Sequence, residues 1–216
     1  VSYSRIVGAT VGPVTRGLFD TPPITHPAGA YVFFVSSGYG RENDDGAYTV
    51  PTTVHAKLLP YNARGTLPEA DAPTLTLSTN RRGSRPYPPG RVRVNGQHPL
   101  AIGGTAVTGA MSLAWAERNR LSPVLATQDD PSVTPEVGTT HTVRAYRTDT
   151  NALLASGTGN QPGATVRLAY TGSVRVEIEA VCNGLASYRP QTFVLNYASD
   201  GASTSTITVE SAQYVL

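Results

Sequence analysis

The chain has 216 residues, enough for one large or two small domains with cores of their own. Its 21 glycines and 17 prolines, in a chain that is 39% hydrophobic, argue against long helices and for many short strands between turns. A formal net charge of +2 gives no electrostatic case for nucleic acid, and no apolar run approaches the ~20 residues that cross a bilayer as a helix.

The single cysteine, Cys182, has no partner for an internal disulfide, and no Cys/His spacing suits zinc. Packing alone is therefore expected to hold the fold. All but one of the 17 basic residues are arginine, the exception being Lys57, which reads as codon bias. No signal peptide and no Asn-x-Ser/Thr sequon is visible, and the first residue, Val1, predicts a fragment or a processed chain.

Residues 1–84 read as a first β domain. Ala30-Tyr-Val-Phe-Phe-Val35 is a short apolar run suited to a buried strand. Gly38 to Gly46 is polar and turn-rich, and a strand follows at Ala47 to Val50. In Thr53 to Leu59, Val54, Ala56 and Leu58 share one face; in Thr74 to Ser78, Leu75 and Leu77 are expected inward. Residues 85–90, Arg-Pro-Tyr-Pro-Pro-Gly, form the boundary, because closely spaced prolines fix φ and favour a stiff polyproline II hinge.

Residues 91–198 read as a second domain. Val92 and Val94 alternate with Arg91 and Arg93 up to the turn Asn95-Gly96. Met111, Leu113 and Trp115 share a face, so 113–121 reads as strand and not as helix. Thr140 to Arg147 pairs with Ala152 to Ser156 through Thr148-Asp-Thr-Asn151, and Thr165 to Tyr170 follows. Ser173 to Val181 alternates most clearly, with Val174, Val176, Ile178 and Ala180 inward. Asn183-Gly184 then turns the chain toward Gln191 to Tyr197. About seven strands in ~110 residues with one inward Trp are the pattern of an immunoglobulin-like sandwich lacking its disulfide. The fold expected is all-β, two sandwich-type domains joined by the Pro-rich hinge. Residues 199–216 read as a Ser/Gly-rich linker and a last strand, Thr206 to Leu216, expected to pair with the first domain or with another chain.

These residues carry a family likeness. Lys57-Leu-Leu-Pro60 and Ala63 to Leu67 lead to Arg85-Pro-Tyr-Pro-Pro-Gly90. Then come Val92-Arg-Val-Asn-Gly96, Ser112-Leu-Ala-Trp-Ala-Glu-Arg-Asn-Arg120 and Val174 to Val181. The series, over about residues 50–198, resembles the C-terminal part of the tail-tip or baseplate hub proteins of siphophages and gene transfer agents. In that family a β domain hands over to a fibronectin type III-like domain through a Pro-Tyr-Pro-Pro-Gly hinge. Where this chain has Glu117 and Asn119, the family usually has His and Asp. The resemblance implies a virion structural protein of the tail tip, assembled as a homotrimer with other tail or baseplate subunits, and no catalysis by this segment.

No nucleophile elbow, zinc-protease motif or P-loop is present, so no catalytic residue, cofactor or metal ligand is assigned. His26, His55, His98 and His141 are scattered and read as loop or strand-face residues. Glu42-Asn-Asp-Asp-Gly46 offers oxygen ligands but lacks the alternating EF-hand spacing, so a solvated turn is favoured. Arg81, Arg82, Arg85, Arg91 and Arg93 lie in a span without acids from Ala72 to Ala116. Forked guanidinium groups suit phosphate or carboxylate, so these five are the candidates for an anionic partner such as lipopolysaccharide; solvated strand faces are the simpler explanation. Tyr39, Tyr48, Tyr87 and Tyr188 sit near turns and are the candidates for host-surface glycan contact, while Tyr170 and Tyr197 read as core or corner residues. Trp115 is expected to anchor the two sheets. The second functional class is a carbohydrate-binding β-sandwich module of a larger secreted or surface protein; a hydrolase ranks third.

Overall fold

The computed structural model describes residues 2–3, 6–12, 14–15, 22, 26–31, 51–121 and 133–211. The strand expected at 30–35 (beyond Tyr31), the turn at 38–46 and the strand at 47–50 lie outside the described residues. Contacts divide the chain into two units: Pro27–Ser84, and Val1–His26 with Arg85–Leu216. The described secondary structure is almost entirely β, as the composition predicts.

In Pro27–Ser84, β1 (Thr53–Lys57) and β2 (Thr74–Ser78) pair antiparallel, with Val54 opposite Leu77 and Ala56 opposite Leu75. The register brings the apolar residues onto one face and His55, Thr74, Thr76 and Ser78 onto the other, where His55 Nδ1 meets Thr76 Oγ1 at 3.2 Å. Among the described residues no second layer covers the leucines of this face: Leu58, Leu75 and Leu77 are 73%, 56% and 67% exposed, while Val54 is half-buried. Their expected inward placement is thus corrected. Alternation specifies a face, but a two-stranded ladder supplies no second layer to bury it. A short hairpin, Tyr61–Asn62 with Gly65–Thr66, extends between these strands and closes through Leu67 N–H to the Pro60 carbonyl at 3.0 Å.

The other unit begins with two short ladders, Ser2–Tyr3 with Val14–Thr15 and Ile6–Val7 with Thr10–Val11. From Gly90 the chain builds an immunoglobulin-like sandwich. Its strands are β3 (Gly90–Val94), β4 (Val107–Thr108), β5 (Met111–Ala116), β6 (Thr140–Arg147), β7 (Leu153–Gly159) and β8 (Gly163–Arg167). They continue with β9 (Gly172–Cys182), β10 (Leu185–Ala186), β11 (Gln191–Ala198) and β12 (Thr206–Val209). One sheet runs β4-β11-β9-β6-β7, with β10 paired to β9; the other runs β12-β8-β5-β3. Only β4 on β11 is parallel among these pairs. A four-residue helix, α1 (Pro99–Ile102), starts at His98, whose Nδ1 accepts from Leu100 N–H at 3.2 Å, and Pro at its first position has no N–H to satisfy.

The core is the layer between these sheets. Val174, Val176 and Ile178 of β9 and Val143 and Ala145 of β6 face Met111, Leu113 and Trp115 of β5 and Val166 of β8. The expected alternation on β9 holds: these inward residues are buried, and the intervening Arg175, Glu177 and Glu179 are half-buried on the outer face. There Arg144 pairs with Glu179 at 2.6 Å, and Arg175 bonds Glu177 at 2.9 Å while lying over the Tyr146 ring. Tyr197 is buried at the end of β11; its hydroxyl donates to the Gly109 carbonyl and accepts from Leu168 N–H at 3.0 Å. That ties three segments far apart in sequence.

The terminal strand does not leave the sandwich. β12 pairs antiparallel with β8, Ala164 opposite Val209 through Arg167 opposite Thr206, which corrects the expectation that it joins the first domain or another chain. The segment leading to it is held, too: Arg167 Nη2 meets Asp200 at 2.9 Å, Ser199 N–H bonds Thr171 Oγ1 at 3.0 Å, and Ala169 N–H bonds Ser205 Oγ at 2.9 Å. Across the seam, β7 approaches β12 so closely that a Cβ at Gly157 would collide with the Ile207 carbonyl oxygen, and one at Gly159 with that of Glu210. Gly157→Ala should therefore push β12 outward and cost about 1–3 kcal/mol, read as a lower urea midpoint.

The β6–β7 turn carries its own lock. Asp149 accepts from Arg147 Nε at 3.0 Å and Nη2 at 2.6 Å and from Thr150 N–H at 2.7 Å. The Arg147 hydrogen bonds are the main cause that holds the Asp149 carboxyl down at about 2, below its ordinary 3.8. A depressed folded-state value means the carboxylate contributes stability above its unfolded pKa, lost as pH falls toward about 2. A carbonyl-carbon NMR titration should show Asp149 titrating near 2, and Arg147→Gln should return it toward 3.8.

Candidate functional site

Alternation along β6 turns His141, Val143 and Ala145 to the interior, and His141 is only 1% exposed. Its Nε2 lies 3.0 Å from Oε2 of Glu117, the residue after β5, so the pair links the two sheets. A neutral ring carries its proton at Nε2, donating to the carboxylate. The Trp115 ring lies 5.3 Å away, tilted by 57°, and is itself 6% exposed in the core between the sheets. Trp115 Nε1 and His141 Nδ1 meet no hydrogen-bond partner among the described residues.

The chain on either side of this pair is stitched together. Arg120 Nη2 meets the buried Glu136 carboxylate at 3.1 Å, and Asn119 Nδ2 donates to the Thr134 carbonyl at 3.0 Å. Nearby, Cys182 Sγ, on the inward face of β9, donates to the Val137 carbonyl at 3.6 Å. Arg118 is buried with its guanidinium 5.2 Å from the centre of the Tyr87 ring. Pro86 is fully buried, Pro88, Pro89 and Gly90 are buried, and Arg85 Nη1 donates to the Ala186 carbonyl at 3.0 Å. The Pro-rich segment is thus built into the sandwich surface.

Chemically this is a brace. A His–carboxylate pair can serve a base only if the other ring nitrogen faces a group that gives up a proton. His141 Nδ1 faces none among the described residues, and Ser187, bonded to Ala180 opposite His141 in the ladder, commits its hydroxyl to the Ala180 backbone N–H and carbonyl at 3.1 Å each. Among the described residues no group of three or more His, Cys, Asp or Glu is placed to hold a metal ion.

The anionic-partner candidates fall in different places. Arg81, with φ of 55°, and Arg82, in the turn Arg82–Ser84, belong to the Pro27–Ser84 unit. Arg85, Arg91 and Arg93 belong to the sandwich unit. Arg91 is exposed with φ of 45°, and Arg93 Nη1 donates to the Val92 carbonyl at 3.2 Å. Of the tyrosines, Tyr87 is half-buried beneath Arg118, Tyr188 is 38% exposed, and Tyr39 and Tyr48 lie outside the described residues. His141, read from the sequence as a loop or strand-face residue, is instead buried on the inward face of β6. Its signal was its place in the alternating set with Val143 and Ala145.

No family model and no curated protein matches the chain. Among solved structures it is similar to the extracellular region of rat CD45, domains d3–d4, at 9% identity and a TM-score of 0.36, over 90% of this chain and 93% of that one.

Replacing Trp115 by Ala should cost about 3–5 kcal/mol through the cavity left between the sheets. Glu117→Ala should cost about 1–3 kcal/mol by leaving the buried His141 N–H unanswered, and Glu117→Gln less. Urea unfolding followed by circular dichroism reads all three, and an unchanged midpoint for Glu117→Ala would remove the brace from the account.

Proposed function

We propose that the chain is a virion structural protein, the distal part of a phage tail-tip or baseplate hub, acting in subunit assembly and in contact with the host surface. The order of motifs carries this reading: Arg85-Pro-Tyr-Pro-Pro-Gly90 followed by Ser112 to Arg120 and Val174 to Val181. One structural observation supports it. The motif halves, though separate in sequence, meet in space: Tyr87 of the first lies against Arg118 of the second.

In this reading the sandwich is a rigid spacer, its end braced by Glu117–His141 and its entry strand fixed by the buried prolines. Its partners are other tail or baseplate subunits, arranged as a homotrimer, and its place is the virion. Host contact through lipopolysaccharide or a surface glycan would use the exposed Arg91 and Tyr188.

Immunogold electron microscopy with antibody against this chain tests the reading on phage particles from the same source. Gold is expected at the tail tip. Unlabelled particles, with the chain found free or on cell surfaces, would overturn it and favour the carbohydrate-binding module.

A further inference from the structure

Two Asn-Gly pairs occur in the chain, Asn95-Gly96 and Asn183-Gly184, and both sit exposed in tight turns with positive φ, 49° and 79° in the first and 50° and 71° in the second. Left-handed turn geometry explains why Asn and Gly stand there. It does not explain a chemical difference between them.

Asn95 is locked on two sides. Its N–H donates to the Ser112 carbonyl at 2.8 Å, and its side-chain Oδ1 accepts from the Ser112 N–H at 2.9 Å. The carboxamide is thereby held against β5. Asn183 has no such hold, because its side chain makes no hydrogen bond among the described residues. Its turn closes a hairpin with only two paired positions, Cys182 with Leu185 and Val181 with Ala186, and among the described strands β10 pairs with none but β9. Below them Ser187 clamps Ala180 through backbone and side chain, so opening can stay confined to the tip.

We propose that Asn183-Gly184 is a site of spontaneous, structure-gated deamidation, and that Asn95-Gly96 is protected. When the tip opens, the Gly184 backbone nitrogen, unshielded by any Cβ on its own residue, attacks Cγ of Asn183. A new C–N bond closes a five-membered succinimide, and the Cγ–Nδ2 bond breaks, releasing ammonia. Water then adds to one of the two imide carbonyls. Opening at one leaves an ordinary aspartyl residue in place of the asparagine; opening at the other gives the isoaspartyl form, with the backbone rerouted through the side chain. No oxidant or reductant enters. Either product places a carboxylate on an exposed turn, and the isoaspartyl form adds a backbone atom to the two-residue turn.

The test holds the folded 216-residue chain in mildly alkaline buffer and follows both peptides by mass spectrometry, using the mass gain of exchanging NH2 for OH and isoaspartyl detection by enzymatic methylation. The same incubation in concentrated urea supplies the reference. Unfolded, the two sites should convert at similar rates, since Gly follows Asn in both. Folded, Asn183 should convert at least roughly fivefold faster than Asn95, the factor that one net hydrogen bond carries. Asn183→Gln, which would need a larger ring, should silence the site and leave Asn95 unchanged. Equal folded rates, or faster loss of Asn95, would overturn the assignment, as would a folded Asn183 that stays intact while the unfolded one converts.

Discussion

The sandwich depends on one apolar layer, because the chain has no covalent alternative: its single cysteine is buried and free. Ile178, Val176 and Val174 of β9 lie in the middle strand of the larger sheet, and Met111, Leu113 and Val166 oppose them from the smaller one. Burying such side chains yields about 1.5–3 kcal/mol each relative to leaving them exposed, which makes this layer the dominant favourable term. The remaining features serve to keep water out of it. Tyr197 bonds the backbone at Gly109 and Leu168, and β12 lies against Gly157 and Gly159.

The polar brace is the price of placing charge at the rim of that layer. His141 and Glu117 are worth little as an isolated pair, since desolvation offsets much of their attraction. Their effect is on geometry: a hydrogen bond from one sheet to the residue after β5 of the other fixes how the sheets meet at this end. Arg120 and Glu136 act alike on the chain segments that flank residues 122–132. The same economy of local charge is seen at the β6–β7 turn, where Arg147 and Asp149 are exposed and their pairing orders the turn more than it stabilises the domain.

Strand positions in the sandwich were legible because period-two alternation survives wherever one face is buried. Val174 to Ala180 and Met111 to Trp115 show this; of the strand expected at 113–121 in place of a helix, 113–116 is strand, while 117–121 leaves the sheet as loop and turn. Partnership was less legible. Residues 199–205 have linker composition, yet Asp200, Ser199 and Ser205 are pinned by residues 28 to 36 positions away, and composition holds no record of that. The same holds for Arg85-Pro-Tyr-Pro-Pro-Gly90: prolines announce stiffness, not whether the stiff segment is buried. On β1 and β2 the pattern named a face that no layer covers among the described residues, and α1 escaped because four residues are too few to show a helical period. At the candidate site, Trp115 was evident as the only tryptophan among alternating apolar residues. His141 needed the same test applied to a polar residue, and its link to Glu117 spans 24 positions that no local pattern connects.

Among the described strands β3 lies at the open side of its sheet, where unpaired backbone groups would ordinarily invite another strand. Arg91 adopts a left-handed conformation there, the pairing with β5 shifts register between Ala114 and Ala116, and the Arg93 guanidinium occupies the Val92 carbonyl. An incoming strand would meet a kinked ladder and an acceptor already taken. Copies crowded together at high local concentration are thereby kept from zipping edge to edge, so that this rim resists runaway sheet growth without help from any partner.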